Sequence, residues 1–261
     1  MEFVKIERKG QIAEIVLNRS PVNAINEQLL DELLQAFTGV NNDHEVRVLI
    51  IRSELQVFIA GADIRMMQDF RNNQETMRFL QYVQNVQRVY NTLENMSKPT
   101  IAYLHGHAMG GGLELALACD FRFMTAGKAR IGLPEIKLGL LPGGGGTQRL
   151  TRLIGETKAK EIIYLGRHLS AEEAFELGVV SHVIPPESGL EEVYSFARDL
   201  SENAPIALGS IKRCIQTSAQ NLINMGLETE LFESAILFAS EDAKIGFQSF
   251  LNKTKPQFAG K

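Results

Sequence analysis

Thr100-Ile101-Ala102-Tyr103-Leu104-His105-Gly106-His107-Ala108-Met109-Gly110-Gly111-Gly112-Leu113-Glu114-Leu115-Ala116-Leu117-Ala118-Cys119-Asp120-Phe121-Arg122-Phe123-Met124-Thr125 reads as strand, glycine-rich turn, helix, strand. Thr100 to Leu104 and Phe121 to Thr125 are short apolar runs of strand length, and the segment between them punctuates with glycine before a helix-forming stretch. The same order recurs upstream: Val46 to Arg52 is a β-branched strand, and Gln74 to Met96 carries apolar residues at helical spacing. Ahead of these lie two runs, Phe3 to Glu7 and Ile12 to Leu17, which flank Lys9-Gly10 as a hairpin, and then a helix from Ile25 to Phe37. Strands alternating with helices predict an α/β fold with crossover connections. Beyond about Leu190, past Pro185-Pro186, the pattern turns to helix: Glu191 to Asn203, Ile206 to Ala219, Leu222 to Phe238 and Ser240 to Leu251. The division predicted is a core of residues 1–190 and a helical region of residues 191–261, whose apolar faces need the core or other subunits to cover them.

Glu114 is the anomaly in the deciding stretch. In a helix its neighbours at three and four residues are Gly110, Gly111, Leu117 and Ala118, so its face has no other charge. Burying an ionised carboxylate without a partner costs several kcal/mol or forces its pKa upward. Such a residue either escapes to solvent or works as a tuned acid or base.

The chain has 261 residues, 44% hydrophobic and 22% charged, which is the balance of a globular protein with a substantial core. A net charge of -4 argues against nucleic acid or an anionic membrane as partner. No apolar run approaches a membrane span, and Met1 to Arg8 lacks the apolar core of a signal peptide, so a cytoplasmic location is the expectation. Cys119 and Cys214 stand far apart without CxxC spacing and read as thiols of a reduced compartment. His105 and His107 have no third ligand at a recognisable spacing, so no metal site is expected. Neither glycine cluster satisfies a dinucleotide or Walker fingerprint, and no GxSxG elbow is present.

Three further stretches carry chemistry only in combination. Val57 to Ile64 runs from an apolar strand end into Gly61-Ala62-Asp63, where Asp63 suits a helix N-cap. Ile131 to Gly139 contains Pro134-Glu135, a natural first helical turn in which an acid is favoured by the helix dipole, so Glu135 alone reads as structural. Leu141 to Leu150 holds the run Gly143-Gly144-Gly145-Gly146.

Taken in order, these stretches, with Lys98-Pro99-Thr100-Ile101-Ala102 and Leu140-Leu141-Pro142-Gly143, resemble the crotonase superfamily, the enoyl-CoA hydratase and isomerase group. The resemblance implies a spiral of ββα units followed by a helical trimerisation region, as trimers or dimers of trimers. It implies an acyl-CoA thioester oxygen held in an oxyanion hole of two backbone N–H groups, at Ala62 and Gly111 by motif position. Preorganised donors where enolate charge builds are worth roughly 3 to 4 kcal/mol each. Hydratases of the group carry carboxylates at both the Glu114 and Glu135 positions, and this sequence has both. The implied roles are Glu114 orienting and deprotonating water and Glu135 delivering the proton, in syn addition across a trans-2-enoyl-CoA to give the 3-hydroxyacyl-CoA. That is a hydro-lyase of the fatty-acid β-oxidation type, and it needs no cofactor beyond the coenzyme A of the substrate.

For the CoA moiety the resemblance implies backbone contacts at Ala60, Ala62, Ile64 and Gly111, with Phe250 and Lys253 reaching it from the C-terminal region, often that of a neighbouring subunit. Lys253 reads equally as a solvated lysine. The loop Leu17-Asn18-Arg19-Ser20-Pro21-Val22-Asn23-Ala24 departs from the group by being one residue shorter and lacking the basic residue that helps bind CoA, a version found among isomerases. A Δ3-Δ2-enoyl-CoA isomerase and a branched-chain, methylglutaconyl-type hydratase therefore stay open. A non-catalytic CoA- or RNA-binding relative is the alternative of a different class, and the acidic balance disfavours its RNA version. Met66, Met67, Phe70 and Met77 read as helix core rather than as an acyl tunnel.

Overall fold

β1 (Val4–Lys9) and β2 (Ile12–Leu17) form an antiparallel hairpin, with Gly10 at φ 62° supplying the left-handed turn residue. The computed structural model describes residues 1–217 and 220–257. From the hairpin, α1 (Glu27–Asn42) crosses to β3 (Val48–Ser53). Next, α2 (Ile64–Asn72) and α3 (Thr76–Glu94) lead to β4 (Thr100–Leu104), and the two-residue β5 (Ala108–Met109) with α4 (Gly111–Leu117) leads to β6 (Phe121–Thr125). β7 (Ile131–Gly132), a 3-10 turn at Glu135–Leu138, α5 (Gly146–Ile154), α6 (Glu156–Leu165), β8 (His168–Leu169), α7 (Ala171–Glu176) and β9 (His182–Ile184) follow. The C-terminal part consists of α8 (Gly189–Ser201), α9 (Pro205–Thr217), α10 (Gln220–Ala239) and α11 (Glu241–Asn252).

The main sheet has the order β1-β2-β3-β4-β6-β9, parallel from β2 onward. Both of its faces are covered, which is why β2 is buried along its whole length and shows no polar alternation. One face packs on α1 and α3, with Leu33, Phe37, Val89 and Tyr90 fully buried. The other is covered by α8, whose Val193, Tyr194 and Ala197 meet Ile50, Ile101 and Phe123. So α8, which lies beyond residue 190, closes a face of the main sheet.

Successive crossover turns stack on one another beside this sheet. Ile25 bridges Ala62 in parallel, Ile59 bridges Ala108, and β5 pairs with β7, which pairs with β8. This stack brings Ala62, Gly111 and Glu135 together although they are far apart in sequence.

The expected strands at Ile12 to Leu17, Thr100 to Leu104 and Phe121 to Thr125 are present with those bounds. Asp63 caps α2, accepting from the Arg65 and Met66 N–H groups. Met67 and Phe70 are buried as expected of core, but Met67 also lines the cavity described below, and Met77, on the first turn of α3, is 68% exposed and so is not core. The C-terminal helices follow the expected pattern, except that Ala219 lies outside the described residues. α10 packs against α3, where the Phe79 and Phe238 rings stack at 4.0 Å between centroids, worth about 1 kcal/mol beyond their buried area.

Candidate active site

A cavity of about 210 Å³ opens where the stacked turns meet α3 and the C-terminal helices. Its walls include Ala60, Gly61, Ala62 and Ile64 from the turn before α2, Gly110, Gly111 and Glu114 around the start of α4, and Glu135 from the 3-10 turn. Tyr82 and Val86 of α3 form its apolar side. Two tyrosines of α3 fix the polar turns in place: the Tyr82 hydroxyl donates to the Ile25 carbonyl at 3.1 Å and the Tyr90 hydroxyl to the Gly111 carbonyl at 2.8 Å. Burial pushes both phenols well up, so they are neutral donors.

Glu114 does not escape to solvent: it is 3% exposed. Its Oε1 accepts from the Gly144 and Gly146 N–H groups, each at 2.8 Å. The glycine run exists because the carboxylate comes so close: a Cβ on Gly144 or on Gly146 would meet a Glu114 carboxylate oxygen at 2.8 Å. Burial nevertheless outweighs the two donors and the more distant Arg149, and it pushes the Glu114 carboxyl up to about 7.

Glu135 stands across the Gly110-Gly111 backbone. Gly110 adopts φ 54°, and a Cβ there would meet Glu135 Oε1 at 2.8 Å, so this turn needs glycine on both counts. The Glu135 residue as a whole is partly exposed, while its Oε2 atom is shut off from solvent with no partner among the described residues. Burial, and then the neighbouring Glu114 charge, hold its carboxyl well above the usual range. Two carboxyls in one cavity, unequally pushed up, favour a state in which Glu114 gives up its proton first and Glu135 keeps one.

Ala62 and Gly111 line the same cavity. Among the described residues the Ala62 and Gly111 N–H groups have no protein acceptor, whereas their neighbours are paired: Gly110 N–H donates to Gly132 O and Asp63 N–H to Ile25 O. Backbone N–H groups are usually paired, so two without a protein acceptor in one cavity are open to a bound acceptor.

Comparison with known proteins places the chain in a family. The family model described as enoyl-CoA hydratase/isomerase matches residues 7–261. The chain belongs to the enoyl-CoA hydratase/isomerase family. It is 38% identical to a crotonyl-CoA hydratase of Syntrophomonas wolfei, over 100% of this chain and 99% of that protein. It is 37% identical to an enoyl-CoA isomerase/hydratase of Mycosarcoma maydis, over 96% and 93% of the two chains. Among solved structures it resembles an enoyl-CoA hydratase of Bacillus anthracis with a TM-score of 0.78 and 34% identity, over 99% of this chain and 100% of that one.

Of the residues expected to serve this family's chemistry, Ala60, Ala62, Ile64, Gly111, Glu114, Glu135 and Phe250 all line the one cavity. Lys253 does not: it is the exposed left-handed cap of α11, at φ 53°. Arg19 of the shortened loop is committed elsewhere, donating to the Ala24 carbonyl and pairing with Asp63 at 2.8 Å. Two cavity neighbours were not anticipated. Lys137 lines the mouth from the 3-10 turn, and Glu230 of α10 is buried behind Glu114. A signal for Glu230 was present in the sequence, because Leu227, Glu230, Ser234 and Phe238 recur at helical spacing as one stripe, and an acid inside such a stripe is buried.

Proposed function

We propose that this protein hydrates trans-2-enoyl-CoA thioesters to 3-hydroxyacyl-CoA, with Glu114 and Glu135 dividing the proton transfers. The observation that carries the reading is a pair of carboxyls lining one cavity together with two backbone N–H groups that have no acceptor among the described residues. The thioester oxygen accepts from Ala62 and Gly111, which stabilises the enolate as it forms. Ionised Glu114, held by two glycine N–H groups, orients a water and takes its proton as the oxygen attacks the β-carbon. Protonated Glu135, whose Oε2 has no partner among the described residues, delivers a proton to the α-carbon from the same face, and the roles exchange on reversal. The water's O–H bond, the Glu135 O–H bond and the C=C π bond break while a C–O bond, a C–H bond and an O–H bond on Glu114 form, and a proton passing from Glu114 back to Glu135 resets the pair with no net oxidation or reduction.

The backbone around Ala60, Ala62 and Ile64 and the ring of Phe250 lie where the CoA portion would enter, and Lys137 supplies a cation at the mouth. The apolar side formed by Tyr82, Val86 and Phe247 suits an acyl chain. We further propose that the chain works in the cytoplasm as a trimer or dimer of trimers through its C-terminal helices. Ile206, Ile211, Phe232 and Ile236 are exposed on them in the single chain, and among the described residues no helix is long and apolar enough to cross a membrane.

The test is a panel of enoyl-CoA thioesters of increasing length and branching, followed by loss of the conjugated-thioester absorbance. Turnover of the short unbranched members is expected. No absorbance loss with any member, from folded protein, contradicts the proposal.

A further inference from the structure

The Gly143–Gly146 run is gripped from two sides by different carboxylates on alternate N–H groups. Glu114 takes those of Gly144 and Gly146, while Glu230 takes the ones between and beyond. Glu230 Oε2 accepts from Gly145 N–H at 2.8 Å, and its Oε1 accepts from Thr147 N–H at 3.1 Å and from the Thr147 hydroxyl. It is 3% exposed and sits on α10, far from α4 in sequence. Arg149 completes the clamp: its Nη1 donates to the Gly144 carbonyl at 2.8 Å, while Glu94 and Asn91 of α3 fix the rest of the guanidinium.

We propose that Glu230 is a positioning residue for the catalytic pair, holding the glycine turn that holds Glu114 and adding a titratable charge that bears on Glu135. This rests on the reading of Glu114 and Glu135 given under Proposed function. The geometry supports the first part, since any shift of Gly145 or Thr147 moves Gly144 and Gly146, and with them the donors that, among the described residues, fix the Glu114 carboxylate. For the second part, the charged groups bearing on Glu230 are Glu114 from α4, Arg149 from α5 and Glu135 from the 3-10 turn; Glu94 from α3 reaches it through Arg149. Burial and then Glu114 push the Glu230 carboxyl up to about 8 despite its three donors, so its charge develops in the range where the pair works. A negative Glu230 in turn keeps Glu135 protonated to higher pH.

The experiment measures kcat and KM for a short trans-2-enoyl-CoA across about pH 6 to 10, with thermal unfolding as the folding check, for wild type, Glu230→Gln, Glu114→Gln and Glu135→Gln. Removing the negative charge lets Glu135 ionise more easily, so the alkaline limb of the Glu230→Gln profile moves to lower pH by roughly half a unit. Its kcat at the optimum falls about tenfold with KM within about twofold, as expected when a reacting group is misplaced but substrate binding is not. Should Glu230→Gln not fold, Thr147→Val removes the hydroxyl donor alone and shifts the same limb in the same direction. A folded variant whose limb coincides with wild type, with only its melting temperature changed, overturns the proposal. If Glu114→Gln or Glu135→Gln keeps wild-type turnover, the catalytic reading itself fails, whatever Glu230→Gln does.

Discussion

Glu14 on β2 and Glu114 on α4 are both buried glutamates, at 0% and 3% exposure, yet their surroundings send them in opposite directions. Glu14 is met by the Arg52 guanidinium, the Tyr194 hydroxyl and Lys9, and despite its burial these partners hold its carboxyl below the usual value. Glu114 is met by two backbone N–H groups and, among the described residues, by no cation in direct contact, and burial prevails. Burial alone therefore does not make a carboxylate reactive. Where no counter-charge among the described residues touches it, burial raises the carboxyl instead, and Glu135, with an oxygen unpartnered among those residues, is the extreme case.

The largest effect that would sharpen this contrast is on turnover. Glu135→Gln removes the transferable proton while keeping the side chain's size, and hydration should slow by about 10²- to 10⁴-fold, read as initial rates on a short enoyl-CoA; Glu14→Gln in the same assay should stay within about twofold of wild type. Next comes stability, where the two buried acids should have opposite signs. The folded-state pKa of Glu114 lies near 7, above its unfolded value of 4.5, so its contribution is present below about pH 4.5 and is lost as pH rises through 7. Glu114→Gln should consequently gain on the order of 2 to 3 kcal/mol over wild type at pH 8 and little at pH 4.5, measured by urea unfolding. Equal stability of the two proteins at both pH values would break the comparison.

The smallest effect belongs to the paired acid. Glu14→Gln should lose about 2 kcal/mol at pH 7, because Arg52 and Lys9 are left facing a neutral amide. Since the folded pKa of Glu14 is depressed, its contribution is present above the unfolded value and disappears as pH falls through the folded one. The penalty should accordingly shrink below about pH 4. A penalty that persists there would mean that packing, not charge, is what Glu14 supplies.

How far the molecule was legible in its sequence follows from the same physics. Glu114 stood out because nothing else on its face is charged, and the strands of the main sheet stood out because each is a short apolar run bounded by turn residues. Glu135 did not stand out, since Pro-Glu at a helix start looks the same whether it faces solvent or a cavity; only the family resemblance singled it out. Two-residue strands such as β5, β7 and β8 carry no periodicity to detect, although they stack the turns that build the site. Glu230 was missed although it shares a helical stripe with Leu227, Ser234 and Phe238, because Glu228 and Glu233 flank it on the same helix and dilute that signal.

The central claim is the proposed role of Glu114 in hydration, as opposed to simple double-bond migration, which needs one base. The direct measurement is Glu114→Gln assayed side by side for hydration of a trans-2-enoyl-CoA and for conversion of a 3-enoyl-CoA to the 2-enoyl form, with Glu135→Gln as the control. The account predicts that wild type hydrates, that Glu114→Gln loses hydration by about 10²-fold or more, and that Glu135→Gln loses it too. Hydration by Glu114→Gln at the wild-type rate, or a wild-type protein that isomerises but does not hydrate, would contradict it.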